Sequence, residues 1–159
     1  MSAIRWPLTY NVIRRGMVNH TFGMVRNGGT KPHGGWDFFA APGTPCYAIT
    51  DGVISHIYCD PTGFGNVVVL KFKDNNEDLY AAYCHLSRNF VKTGSSVAKG
   101  ERLGLTGATG NARGLGPLDE HLHFEIRTFI QVRKGLDQRR SPLRIFKVCP
   151  LKKPILDPI

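Results

Sequence analysis

The 159 residues suffice for one domain with a full core and are few for two. Hydrophobic content of 42% and charged content of 21% are those of a folded globular chain, and no stretch approaches the roughly 20 apolar residues of a membrane-spanning helix. The net charge of +9 is concentrated: residues 127–153 carry nine Lys or Arg against one acid, Asp137. Such a face implies an anionic partner or a solvated edge. The sequence has neither a helix-turn-helix pattern nor an aromatic-interleaved RNA motif, which argues against nucleic acid.

Eighteen glycines and ten prolines favour short strands and tight turns over long helices, so the expected class is all-β or β-rich. Residues 1–32 read as irregular, punctuated by Gly16, Gly23, Gly28 and Gly29. The first twenty residues hold no apolar run of the secretory type. Export by a specialised secretion system, release in phage lysis, or a processed mature chain are the routes this leaves. His33-Gly34-Gly35-Trp36-Asp37 follows, where two glycines oppose a helix and permit a bend that turns His33 and Asp37 toward one point.

Residues 44–49, 52–59, 66–72 and 79–85 are rich in Val, Ile, Tyr and Phe and read as strands. Thr50-Asp51-Gly52, Asp60-Pro61-Thr62-Gly63 and Asp74-Asn75-Asn76 between them are turn chemistry, which predicts antiparallel pairing. His85 ends the fourth strand. Alternation sets Cys84 on the face opposite to it, as a core cysteine beside a site histidine. The glycines at 94, 100, 104, 107 and 110 mark a loop-rich stretch. His20 and His56 have no comparable context and read as bystanders.

The strand at 121–128 is the clearest. In His121-Leu122-His123-Phe124-Glu125-Ile126-Arg127 every even position is apolar and every odd one polar. Leu122, Phe124 and Ile126 therefore face the core, while His121 and His123 project together from the other face, about 6.5 Å apart at their origins. Joined to His33 and Asp37, this strand gives the two-histidine, one-carboxylate set used by catalytic zinc, with a position left for water. Zinc lowers the pKa of such a water to about 7 and polarises a carbonyl. Peptide hydrolysis also needs a base for water and an acid for the leaving amine, which gives His85 a use.

Beyond this strand, 128–133 is expected to continue it, 134–138 to turn, and 143–148 to return as a paired strand. The result would be a basic hairpin with its cations exposed and Cys149 brought back toward the core. The four cysteines, Cys46, Cys59, Cys84 and Cys149, show no C-x-x-C spacing. Buried free thiols are the default. An extracytoplasmic setting admits one or two disulfides, with three full pairings open.

H-x-x-x-D at 33–37, Tyr83-Cys84-His85-Leu86, and Gly107-Ala108-Thr109-Gly110 leading into His121-Leu122-His123-Phe124-Glu125 together resemble the lysostaphin/LytM-type zinc peptidases. Phe22-Gly23, Ala41-Pro42-Gly43-Thr44-Pro45 and Asp51-Gly52-Val53 extend the likeness over residues 20–127. The resemblance implies a small antiparallel β-sheet core with a loop-walled zinc groove, in one peptidase domain over 1–159 with a basic insert at 128–150. It implies one Zn2+ held by His33, Asp37 and His123, with His85 and His121 as the catalytic pair. It further implies endopeptidase action on peptidoglycan stem peptides at the bacterial envelope, by a phage lysin or an antibacterial effector, the latter matched by an inhibitor in the producing cell. The alternative is a catalytically inactive wall-binding or regulatory member. The chain departs from the family in the longer approach 113–120, in lacking a tyrosine shortly before His33, and in an ending, Ile155-Leu156-Asp157-Pro158, displaced by the insert.

Overall fold

A computed structural model describes residues 4–130 and 135–158. The N-terminal third supplies short strands only: β1 (Tyr10–Asn11), β2 (Gly23–Arg26), β3 (Lys31–His33), β4 (Trp36–Phe39) and β5 (Pro45–Tyr47). The long strands follow where β-branched and aromatic residues are densest: β6 (Gly52–Asp60), β7 (Gly65–Asp74) and β8 (Glu77–Asn89). Next come β9 (Ser96–Val97), β10 (Arg102–Thr106), β11 (His121–Arg127), β12 (Arg139–Arg140), a one-turn helix α1 (Leu143–Phe146) and β13 (Ile155–Leu156).

The main sheet is antiparallel and runs β12-β11-β8-β7-β6-β9. β8 pairs with β11 along one side of that strand, while β4 and then β12 share the other. β10 bridges β8 and β5. Its stretch reads as loop from its glycines, and simultaneous pairing to two strands overrides that local signal.

One face of the sheet carries the main core. Leu122, Phe124 and Ile126 pack there with Ala81, Tyr83, Val68, Leu70 and Trp36. The expected alternation of β11 is therefore present. A second, smaller cluster of Val67, Val69, Ala82 and Cys84 lies on the opposite face.

The expected hairpin differs. The strand ends at Arg127, and the antiparallel return comes early, at Arg139 and Arg140 opposite Arg127 and Ile126. Gln131, Val132 and Arg133 of the expected continuation, and Lys134 at the start of the expected turn, lie outside the described residues. Residues 143–148 form helix α1 instead of a returning strand. Pro142 starts it with a preset backbone, Lys147 ends it in the left-handed region at φ 68°, and Ile145 and Phe146 are buried. The Phe146 ring stacks on Trp6 at 4.3 Å and lies 6.0 Å from Trp36, so burial of an aromatic face decided the conformation. Cys149 packs half-buried against the core, Cys46 and Cys84 are buried, and all four cysteines are free; Cys59, contrary to the default, is exposed.

Candidate metal centre

The site is built on one register position. His123 of β11 lies directly opposite Asp37 of β4 on one side and Cys84 of β8 on the other. Side chains opposite each other share a face, so Asp37 and His123 meet. His33 arrives from β3 through the Gly34-Gly35 bend. A Cβ on Gly35 would strike the Phe124 carbonyl, and one on Gly34 would lie 2.6 Å from Arg139 Nε and 2.8 Å from Glu125 Oε2. These glycines let the bend press against β11.

His33, Asp37 and His123 are buried, and each offers a ligand atom, all within 4.8 Å of one another. Asp37 Oδ1 is 2.8 Å from His123 Nδ1 and 3.1 Å from His33 Nε2. His33 donates its Nδ1–H to the Thr21 carbonyl at 2.8 Å, so in the neutral ring Nε2 aims a lone pair at a carboxylate oxygen. Two acceptors facing at that distance call for a proton or a cation between them. On its far side His123 Nε2–H donates to Glu125 Oε2 at 2.7 Å, the carboxylate–histidine pairing that orients metal-binding imidazoles. Glu125 is itself held by Arg127 Nε at 2.8 Å and Arg139 Nε at 2.9 Å. This donor set fits zinc.

The remaining two histidines face the same point. His121 Nδ1–H donates to the Asp119 carbonyl at 2.7 Å, and His85 Nδ1–H to the Thr109 carbonyl at 2.8 Å. Each backbone acceptor fixes the tautomer and turns Nε2 inward. The two rings are 5.1 Å apart, and His121 Nε2 is 3.7 Å from Asp37 Oδ1. His85 does not arrive by alternation. It has φ 62° and sits at a bulge where β8 carries one residue more than β7 between the Val68–Tyr83 and Asn66–Leu86 pairs. Regular alternation would send it into the main core beside Tyr83. Cys84, expected opposite to the site, is on the face of His123.

Burial, then the neighbouring His123 and His121, push the His85 imidazolium down to about 4, and burial also lowers that of His121. Both rings are neutral near pH 7. For His123 burial acts the same way, but hydrogen bonds to Asp37 and Glu125 outweigh it and raise the ring to about 9. Burial opposes ionisation of Asp37, yet hydrogen bonds from His123 and then His20 hold its carboxyl well below the ordinary range.

The sequence reading missed the outer partners of Asp37. Its Oδ2 meets Arg26 Nη2 at 3.2 Å, His20 Nδ1 at 3.4 Å and Arg14 Nη1 at 3.5 Å. His20 is thus no bystander. Nor is Arg139 part of an exposed basic face: it is buried against Glu125, as Arg127 is. Glu125 was legible from its alternation with His123. Arg14, Arg26 and Arg139 carried no local signal, being 23, 11 and 14 residues from their acidic partners in the chain. Phe64, ring-stacked on His123 at 5.7 Å, walls a groove of about 400 Å³ with Leu115 and Asn111.

Comparison with known proteins gives the chain a family context. The model of peptidase family M23 matches residues 31–138. The peptidoglycan DD-endopeptidase ShyA of Vibrio cholerae is 39% identical over 60% of this chain and 20% of its own length. The catalytic domain of lysostaphin from Staphylococcus simulans superposes with TM-score 0.61 at 30% identity, over 80% of this chain and 87% of that one. A zinc-containing peptidase from Vibrio cholerae aligns with TM-score 0.59 at 33% identity, over 79% and 36%. The murein hydrolase activator NlpD of Escherichia coli is 31% identical over 80% of this chain and 28% of its own. The chain spans about a quarter or less of the length of the first curated relatives it matches.

Proposed function

The chain belongs to peptidase family M23, and from that premise we propose that it is a zinc-dependent endopeptidase cutting peptide cross-links of bacterial peptidoglycan. His33, Asp37 and His123 would hold one zinc ion, and His85 and His121 would carry the proton transfers. The carrying observation is that four imidazoles from three strands each have one nitrogen satisfied away from the groove and the other turned into it. We further infer one peptidase domain over 1–159, with residues 128–150 as its basic insert.

Zinc held here would supply Lewis acidity, lowering the pKa of a water and polarising the scissile carbonyl. The chain's own residues do the rest. Either neutral Nε2, on His85 or His121, accepts the proton of the attacking water, and the imidazolium so formed can pass it to the leaving amine. Until it gives up that proton the same imidazolium can donate a hydrogen bond to the oxyanion of the tetrahedral centre, while the other, neutral ring orients the attacking water by accepting a hydrogen bond from it. Thr109 and Asp119 carbonyls keep both rings from rotating between steps. Asp37 stays ionised because its outer oxygen is held by cations.

A D-Ala–diamino-acid bond is the proposed target, with glycine bridges the lesser option. Action at the envelope follows from that substrate. A phage lysin and an exported antibacterial effector are both consistent carriers, and an effector would be matched by a dedicated inhibitor. The likeness to NlpD favours a second reading, a regulatory member that binds wall without cutting it. Zinc-loaded and chelator-treated protein incubated with purified cross-linked muropeptides, followed by mass spectrometry, separates them. Conversion of dimers to monomers by the zinc-loaded protein alone supports the endopeptidase. Intact dimers with retained wall binding would favour the regulator, and release of terminal D-Ala alone would make it a carboxypeptidase.

A further inference from the structure

The approach to the H-x-H strand, residues 113–120, ends in a contact that the metal ligands and catalytic pair do not explain. Asp119 is the more heavily bonded of that segment's two acids. Arg15 grips it with Nε on Oδ1 at 2.6 Å and Nη2 on Oδ2 at 3.0 Å, and Arg14 Nε reaches Oδ1 at 3.2 Å. The Arg14 guanidinium then continues to Asp37 Oδ2, with Nη1 at 3.5 Å. Arg15 adopts φ 56°, a left-handed backbone uncommon for a residue with a side chain, in the turn that presents both arginines. Meanwhile the Asp119 carbonyl takes the Nδ1–H of His121.

We propose that Arg14 and Asp119 form a positioning clamp that sets the tautomer and aim of His121 and the orientation of Asp37 through one guanidinium. The lengthened approach segment has no regular secondary structure of its own to fix Asp119; beyond short turns, the Glu120 carbonyl accepting from Ala40 N–H is its backbone tie to the sheet. A side chain gripped by two arginines supplies what the sheet does not. Because Nε and Nη1 of a single planar group serve two carboxylates, movement of the approach segment is felt at Asp37. A point charge such as lysine cannot replace that geometry. Both members are positioning residues, acting on the reaction through His121 and Asp37.

This inference rests on the peptidase reading for its kinetic consequence but not for its structural one, and Asp119→Ala and Arg14→Lys test both. In metal-free protein carrying 15N-labelled histidine, the imidazole spectrum of His121 should show the Nδ1–H form in the wild type and a mixed population in both variants. With zinc restored, kcat on cross-linked muropeptides should fall roughly 10- to 100-fold, the scale of a small misplacement, with KM within about twofold and an unchanged melting midpoint. Zinc affinity, read by competition with a chelator, should drop for Arg14→Lys more than for Asp119→Ala. Wild-type His121 spectra in both variants would overturn the clamp. So would full activity of Arg14→Lys, which would show that charge alone suffices. If the wild type cuts nothing, the peptidase reading fails, and the imidazole spectra still decide the clamp.

Discussion

Asp37 Oδ1 and His123 Nδ1 lie 2.8 Å apart because β4 and β11 pair with these two residues directly opposite. A slip of one residue would turn one of them into the core. The candidate metal centre is therefore a property of sheet register. Its energetic support is the buried aromatic layer beneath, where Phe38 and Phe124 sit at 6.1 Å.

Replacing His123 by alanine should abolish metal binding and hydrolysis together, as should Asp37→Ala. Glu125→Gln should be milder, lowering zinc affinity by about 10- to 100-fold because the imidazole loses its orienting carboxylate. Metal content by atomic absorption and affinity by chelator competition check this. Full zinc in His123→Ala would remove that residue from the site.

His85→Ala and His121→Ala should keep their zinc and lose activity by roughly 100-fold or more, the usual yield of a positioned proton-transfer group. Steady-state assays beside metal analysis decide it. Loss of metal in either variant would mean a ligand had been mistaken for a catalyst.

The depressed His85 makes a pH prediction for the metal-free protein. In the unfolded chain the ring takes its proton at about pH 6.5, whereas in the folded chain it does so only at about 4. The unfolded state binds more protons throughout that window. Stability should accordingly fall as pH drops from 6.5 toward 4, with this group's effect levelling off below. His85→Gln should flatten the dependence in urea melts taken across the same range. An identical slope would show that His85 is solvated and titrates normally.

Phe146→Ala should destabilise the fold by about 3–5 kcal/mol, since a fully packed aromatic is replaced by a cavity between Trp6 and Trp36. Zinc affinity at temperatures where the variant is folded should change little. A denaturant midpoint near that of the wild type would mean that helix α1 is dispensable.

Arg127 and Arg139 turn inward, and Arg140 and Arg144 pair with Glu77, whereas Lys147, Lys152 and Lys153 are exposed among the described cations of the basic segment. Changing all three to glutamine should weaken sedimentation with purified wall at low salt. The difference should vanish at high salt, because exposed charges are screened over about 10 Å at 0.1 M. Salt-independent, wild-type binding would leave these lysines only the role of solvating a surface.

Alternation in residues 121–127 settled by itself that His121 and His123 share a face and that Leu122, Phe124 and Ile126 anchor them, because a strand's period of two is written locally. The β-branched runs of β6, β7 and β8 were legible for the same reason. Sequence did not disclose that His85 reaches the groove through a bulge, since one inserted residue shows only when β8 is laid against β7. Nor did it show His20, Arg14 and Arg26 gathered on the outer oxygen of Asp37, or Arg139 buried against Glu125. Helix α1 replaced an expected strand because the pocket beside Trp6 and Trp36 rewards one buried Phe146 face more than a ladder of hydrogen bonds. Side-chain chemistry and strand period are properties of neighbours in the chain. Register, bulges and the charges that hold a buried carboxylate ionised depend on residues distant in sequence, and only the folded sheet brings those together.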